Sequence, residues 1–139
     1  MSRVKVSVDK ESSLKAEIEV AGQTLVIDES DKEIAGPDPY DYILSAIGSC
    51  AAITLHMYAK HKQWPLDRVE IKLKHERKHA DDCEHCELDE ARLTQVVKHV
   101  KLYGDLDEKQ RQRLKQISDR CPVQKTLVAG ITVKSILEH

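Results

Sequence analysis

The sequence predicts an α+β domain whose elements run β-β-β-α-β-β-α-β. Three observations carry that prediction. Apolar and polar residues alternate up to Asp28, the period of half-buried strands. From Pro39 to His61 apolar residues recur at helical spacing, with Gly48 as the one breaker. Two alternating segments, around Ile71 and Val100, then flank a polar stretch and lead to a short amphipathic helix.

Each element has its local reason. Val4, Val6 and Val8 share one side of a first strand. Leu14, Ala16, Ile18 and Val20 do the same in a second, and Ala21-Gly22-Gln23 turns the chain into a third, Thr24 to Asp28. Together they predict an antiparallel meander. Asp38 caps a helix that has Pro39 at its first position, where the missing N–H costs nothing. Ile43, Ile47, Cys50, Thr54 and Tyr58 form its stripe, widened by Leu44, Ala46, Ala51 and Leu55. So wide a stripe predicts a central, buried helix. The small residues from Gly48 to Ala52 leave room for a close neighbour.

Trp64-Pro65 ends that helix, and Val69, Ile71 and Leu73 begin a strand running toward Arg77. His79 to Glu90 reads as a polar loop, and Val96, Val100 and Leu102 as the next strand, with Val97, His99, Lys101 and Tyr103 on its other face. Gly104-Asp105 turns the chain. Asp107 and Gln110 form a capping-box pair for a helix through Leu114 and Ile117 to Arg120. Pro122 starts another helical turn through Leu127. Gly130 precedes a last strand with Ile131, Val133 and Ile136.

A chain of 139 residues favours a single domain, 1–136. Leu137-Glu138-His139 reads as the start of an expression tag and is set apart from it. Charged residues make up 33% of the chain, yet the net charge is −2. Phosphate binding needs uncompensated Lys and Arg, so nucleic acid and anionic membranes are not expected partners. No secretory signal and no run long enough to span a bilayer is read, which predicts a cytoplasmic protein. Phe is absent and aromatics are 4%, so the core is aliphatic and thin. A thin core favours an oligomer that shares buried surface.

Four cysteines in a cytoplasmic chain point to redox or metal chemistry rather than a disulfide scaffold. Cys50 lies in the apolar helix. Cys121 lies in Arg120-Cys121-Pro122, before a Pro-started helical turn whose N–H groups favour a thiolate. Arg120 adds a charge beside it. Taken alone, Cys50 is better read as a small buried hydrophobe. Brought together by the fold, the two would form an oxidisable pair.

The run Gly36-Pro37-Asp38-Pro39-Tyr40-Asp41-Tyr42, then Gly48-Ser49-Cys50, His75-Glu76-Arg77, Gly104-Asp105-Leu106 and Arg120-Cys121-Pro122-Val123, resembles the OsmC/Ohr family (osmotically inducible protein C and organic hydroperoxide resistance proteins). The chain is most similar to its YhfA-like branch. The resemblance spans nearly the whole chain. It implies an intertwined homodimer with sites at the subunit interface. It implies a peroxidatic Cys50, a resolving Cys121, organic hydroperoxides as substrates, a dithiol reductant, and no metal or flavin cofactor. Better-characterised members carry Asn-Pro-Glu before the central helix, where the Glu holds a catalytic Arg. Here the corresponding residues are Asp38-Pro39-Tyr40, and no Arg occurs between residues 4 and 67. Tyr40, Asp41 and Arg120 are therefore the supporting candidates. The alternative is a redox sensor or hydrophobic-ligand module that keeps the fold without fast peroxidase chemistry.

A second cluster, His75, His79, Cys83, His85 and Cys86, carries a Cys-x2-Cys pair. Three readings stand for it, in this order: a solvated loop, a redox dithiol, and a tetrahedral zinc site. His56, Tyr58 and His61 read as ordinary helix residues, and Lys109 to Arg113 as a solvated helix face.

Overall fold

The computed structural model describes residues 3–12, 14–28, 37–77 and 93–138. They form an α+β fold of five strands and three α-helices, divided into two compact units, Met1–Ile43 and Leu44–His139.

The first unit holds the meander. Strands β1 (Val4–Ser7), β2 (Lys15–Val20) and β3 (Gln23–Asp28) pair antiparallel in that order. A 3-10 turn, Lys10–Ser12, joins the first two. Ile18 faces Val6 on one side and Leu25 on the other, so the apolar sets share a register. Ala21 and Gly22 both take positive φ, 50° and 76°, as a two-residue hairpin of this hand requires.

Helix α1 runs Pro39–Lys62. Its start is a reciprocal cap: Asp38 N–H donates to Asp41 Oδ2, and Asp41 N–H donates to Asp38 Oδ1, both at 2.9 Å. Gln63 stops it with φ 60°. Trp64 N–H then donates to the Ala59 carbonyl and Gln63 N–H to that of Lys60, the Schellman pattern. By length and mean hydropathy, 1.3, α1 could cross a membrane, which corrects the expectation of no such run. That is weak support for a membrane role, since the core helix of a globular domain has the same composition. Leu44, Ile47, Gly48, Ala51, Leu55 and Ala59 are buried in the protein itself.

In the second unit, β4 (Leu66–Arg77) and β5 (Leu93–Gly104) form a long antiparallel pair with Ile71 opposite Val100. Helix α2 (Glu108–Ser118) opens on Asp107 with the expected capping box to Gln110. Helix α3 (Pro122–Ala129) follows directly. Leu55, Ala59, Leu106, Leu114 and Ile117 form the core, with Trp64, Val69, Val100 and Leu102 packed against it. A Cβ at Gly48 would stand 2.9 Å from Leu73 Cδ1, so the small residue expected to admit a close neighbour admits β4.

Two further expectations need correction. Ile131, Val133 and Ile136 do not form a strand in this chain, and each is at least two-thirds exposed. A strand exists through its hydrogen-bonded neighbour, and neither described sheet takes this segment as a member. Nor is the Lys109–Arg113 stretch simply solvated. Arg111 is half-buried and donates to the carbonyls of Leu102, Gly104 and Leu106 at 2.9–3.2 Å. Arg113 Nε donates to Tyr58 Oη at 3.1 Å.

Candidate functional site

Far apart in sequence, Cys50 and Cys121 meet within the second unit. The Cys50 thiol bears on the Cys121 thiol, and both cysteines are free. Cys50 is partly accessible, whereas Cys121 is fully buried.

Local sequence explains the placement of each. Cys50 stands midway along α1, beside buried Ala51. Cys121 is the N-cap of α3 with extended backbone, φ −66° and ψ 140°, as the residue before a proline prefers. Pro122 occupies the first helical position. Cys121 Sγ accepts from the Gln124 N–H at 3.4 Å, so the thiol does the work of a capping oxygen.

Opposing effects act on the Cys121 thiol. Burial is the largest and raises its pKa, and the Cys50 thiol pushes the same way. The Gln124 N–H and the charge of Lys98 pull it down. The outcome is a thiol above its ordinary range.

Lys98 was not singled out from sequence. Its side chain is only 11% exposed, an uncommon state for lysine. Nζ reaches the Ser118 carbonyl at 2.9 Å, Gln124 Oε1 at 2.6 Å and Asp119 Oδ1 at 3.1 Å, with Ser118 Oγ at 3.4 Å. Gln124 Nε2 in turn donates to Asp119 Oδ1 at 3.1 Å. Burial alone would raise the Asp119 carboxyl pKa. The Gln124 and Lys98 hydrogen bonds, with the charges of Lys98 and Lys115, lower it overall. The signal for Lys98 was legible: it shares strand parity with Val96, Val100 and Leu102, the core-facing side of β5.

The supporting candidates fare differently. Arg120 is exposed, and its charge is felt by Tyr58; among the described residues the cation acting on Cys121 is Lys98. Asp41 serves the α1 cap, and Tyr40, half-buried, stands beside it in the first unit. His75 lies half-buried in β4, in register with Val96. His79, Cys83, His85 and Cys86 lie outside the described residues. Among the described residues no three of His, Cys, Asp or Glu converge as a metal site. His56 and His61 are exposed on α1. Tyr58 packs edge-on against Trp64, with ring centroids 5.6 Å apart.

Solved structures share this architecture. An OsmC-like protein from Mycoplasma pneumoniae superposes with a TM-score of 0.75 at 18% identity, covering 92% of this chain and 87% of its own. The organic hydroperoxide resistance protein OhrB of Bacillus subtilis gives 0.60 at 17%, covering 90% and 88%. An organic hydroperoxide resistance protein OsmC from Legionella pneumophila gives 0.64 at 14%, covering 90% and 87%. No curated protein matches the chain. Those identities speak for the fold alone. The family model described as OsmC-like protein, however, matches residues 29–135, a span that includes both cysteines and every element from α1 onward, and on that match this chain belongs to the OsmC-like family.

Proposed function

We propose that this protein is a cysteine peroxidase that reduces organic hydroperoxides, with Cys50 peroxidatic and Cys121 resolving. The observation that carries the reading is the meeting of an accessible thiol with a sealed one. The family match and the hydroperoxide-resistance names of structural neighbours agree with a peroxide-related role.

The chemistry balances without metal or flavin. The Cys50 thiolate attacks the outer oxygen of the hydroperoxide, and the O–O bond breaks. The alkoxide takes a proton and leaves as the alcohol, with Cys50 now a sulfenic acid. The Cys121 thiol loses its proton and its sulfur attacks the Cys50 sulfur; the S–O bond breaks, and the hydroxide takes up that proton and leaves as water. A dithiol reductant then attacks the disulfide, passes through a mixed disulfide, and leaves oxidised. Hydroperoxide and dithiol thus become alcohol, water and the reductant's disulfide.

The reading includes a homodimer working in the cytoplasm. Cys50, Ile53 and Met57 recur at i, i+3 and i+7 on α1, and Ile53 and Met57 are 61% and 69% exposed. The unpaired 131–137 segment adds Ile131, Val133, Ile136 and Leu137, all exposed. Apolar surface on this scale is what a second copy covers.

Turnover tests the reading. Reduced protein is mixed with cumene hydroperoxide and dihydrolipoamide, and peroxide loss is followed. Turnover that disappears in Cys50→Ser is expected. A wild-type rate no greater than that of Cys50→Ser refutes the reading. A Cys50–Cys121 disulfide forming without turnover favours a sensor, which the raised Cys121 thiol would also suit.

A further inference from the structure

Lys98 is a costly residue in its position. A lysine side chain only 11% exposed, on the core-facing side of a strand, needs partners for its ammonium. A well-packed aliphatic side chain would serve stability at least as well there. Its partners show where the charge is directed. Ser118 and Asp119 lie just before Cys121, and Gln124 lies three residues after it. Gln124 is also the residue whose backbone N–H caps Cys121 Sγ. One ammonium therefore ties the end of α2 to the first turn of α3, around the thiol. Asp119, 60% exposed, draws part of that charge toward solvent.

We propose that Lys98 is a positioning residue for disulfide closure: it locks the α2–α3 elbow with Cys121 facing Cys50, and its charge, moderated by Asp119, favours the Cys121 thiolate that closes the bond. The inference builds on the pairing proposed above but needs no peroxide. Among the described residues, besides the Cys50 thiol on α1, the charges that bear on the Cys121 sulfur are Lys98 on β5 and, through Lys98 and Gln124, Asp119. Lys115 acts on Asp119, and Arg120 is exposed beside it.

The test uses the full chain with Cys83→Ser and Cys86→Ser, so that reaction is confined to the pair. The probe is 2,2′-dithiodipyridine. The Cys50 thiolate attacks it, forms a mixed disulfide and releases one thiopyridone. The Cys121 thiolate then displaces the second thiopyridone and leaves the Cys50–Cys121 disulfide. The two releases are read separately by stopped-flow absorbance across pH.

In Lys98→Met the first release should stay within about twofold of wild type. The second should slow by about three- to tenfold, the range for losing one charge contact, and its pH midpoint should rise. Lys98→Arg should recover most of the second rate. Asp119→Asn, exposed and near-isosteric, should accelerate the second release and lower its midpoint, because Lys98 then faces the thiol less neutralised. That opposite sign separates an electrostatic role from a merely structural one, and it holds even where Lys98→Met folds poorly. An unchanged second release in Lys98→Met overturns the inference. So does slowing in Asp119→Asn, or the absence of any second release in the wild-type background. Failure of the peroxidase reading shows instead as absent hydroperoxide turnover with both releases intact.

Discussion

Replacing Arg111 with Met removes a guanidinium that holds the β5–α2 turn from the inside. Nε donates to the Leu106 carbonyl at 3.2 Å, Nη1 to Leu102 at 2.9 Å and Nη2 to Gly104 at 3.0 Å. Hydrogen bonds with a charged partner contribute about 1.5–3 kcal/mol each. Three on one side chain do not sum, because the acceptors relax together and the residue is only half-buried. A loss of about 2–4 kcal/mol is expected. Met keeps the aliphatic packing, so the loss reports on the hydrogen bonds. In urea, with a slope of about 2 kcal/mol/M for a domain this size, the midpoint should fall by about 1–2 M at unchanged slope. Arg111→Lys should recover less than half, since an ammonium cannot span three separated carbonyls. A loss in Arg111→Met below about 1 kcal/mol would show that water satisfies those carbonyls equally well, and the staple would be refuted.

Two further outcomes follow from backbone and burial. Gly104 has φ 146°, and a Cβ there would run into the Pro65 carbonyl, so Gly104→Ala should lower Tm by at least about 10 °C. Gly22→Ala also sits at positive φ but in open space, and should cost only about 1 kcal/mol; equal losses at the two sites would contradict the clash. Alkaline pH should destabilise the fold through Cys121. Burial raises that thiol's folded pKa, so its contribution is complete below the unfolded value and is lost as pH rises through the folded one. Tyr58 opposes it, because the Arg113 hydrogen bond lowers its pKa and favours the phenolate in the fold. Urea midpoints at about pH 8 and about pH 10 should therefore fall further in wild type than in Cys121→Ala, and parallel falls would exclude a Cys121 contribution.

Legibility followed the range of the interactions. The caps at Asp38 and Asp107, the proline at Pro122 and the alternation in β4 and β5 are local, and the sequence carries them plainly. The terminal segment was misread because Ile131 and Val133 alternate as a strand would, while pairing depends on a neighbour that the pattern cannot supply. Arg111 and Arg113 looked solvated because their charge hid half-buried stems whose tips reach inward. Arg120 drew attention as the cation next to Cys121 in the chain. The helix turn sends it elsewhere, while Lys98 arrives from a strand twenty residues before its partner Ser118. A lysine in step with three apolar strand residues was the available sign. The pairing of the cysteines was beyond periodicity altogether and came only from resemblance, because contact between α1 and the α2–α3 elbow is set by the tertiary fold.

The unequal burial of the two thiols also fixes an order of events in the proposed cycle. A hydroperoxide diffusing in meets Cys50, since Cys121 exposes no surface to it. A buried thiol with a raised pKa is a poor first nucleophile, because little of it is thiolate near neutrality. The same thiol suffices for the second step. There its target is the neighbouring Cys50 sulfur, and intramolecular attack offsets a small thiolate fraction by orders of magnitude. Burial then has a chemical use: it withholds Cys121 from outside oxidants and leaves it reduced for the one electrophile the fold presents. With the roles reversed, a peroxide would have to reach the sealed sulfur while the open one waited. Sulfenic acid trapped at Cys121 in a Cys50→Ser chain, at a rate matching Cys50 in a Cys121→Ser chain, is the result this ordering forbids.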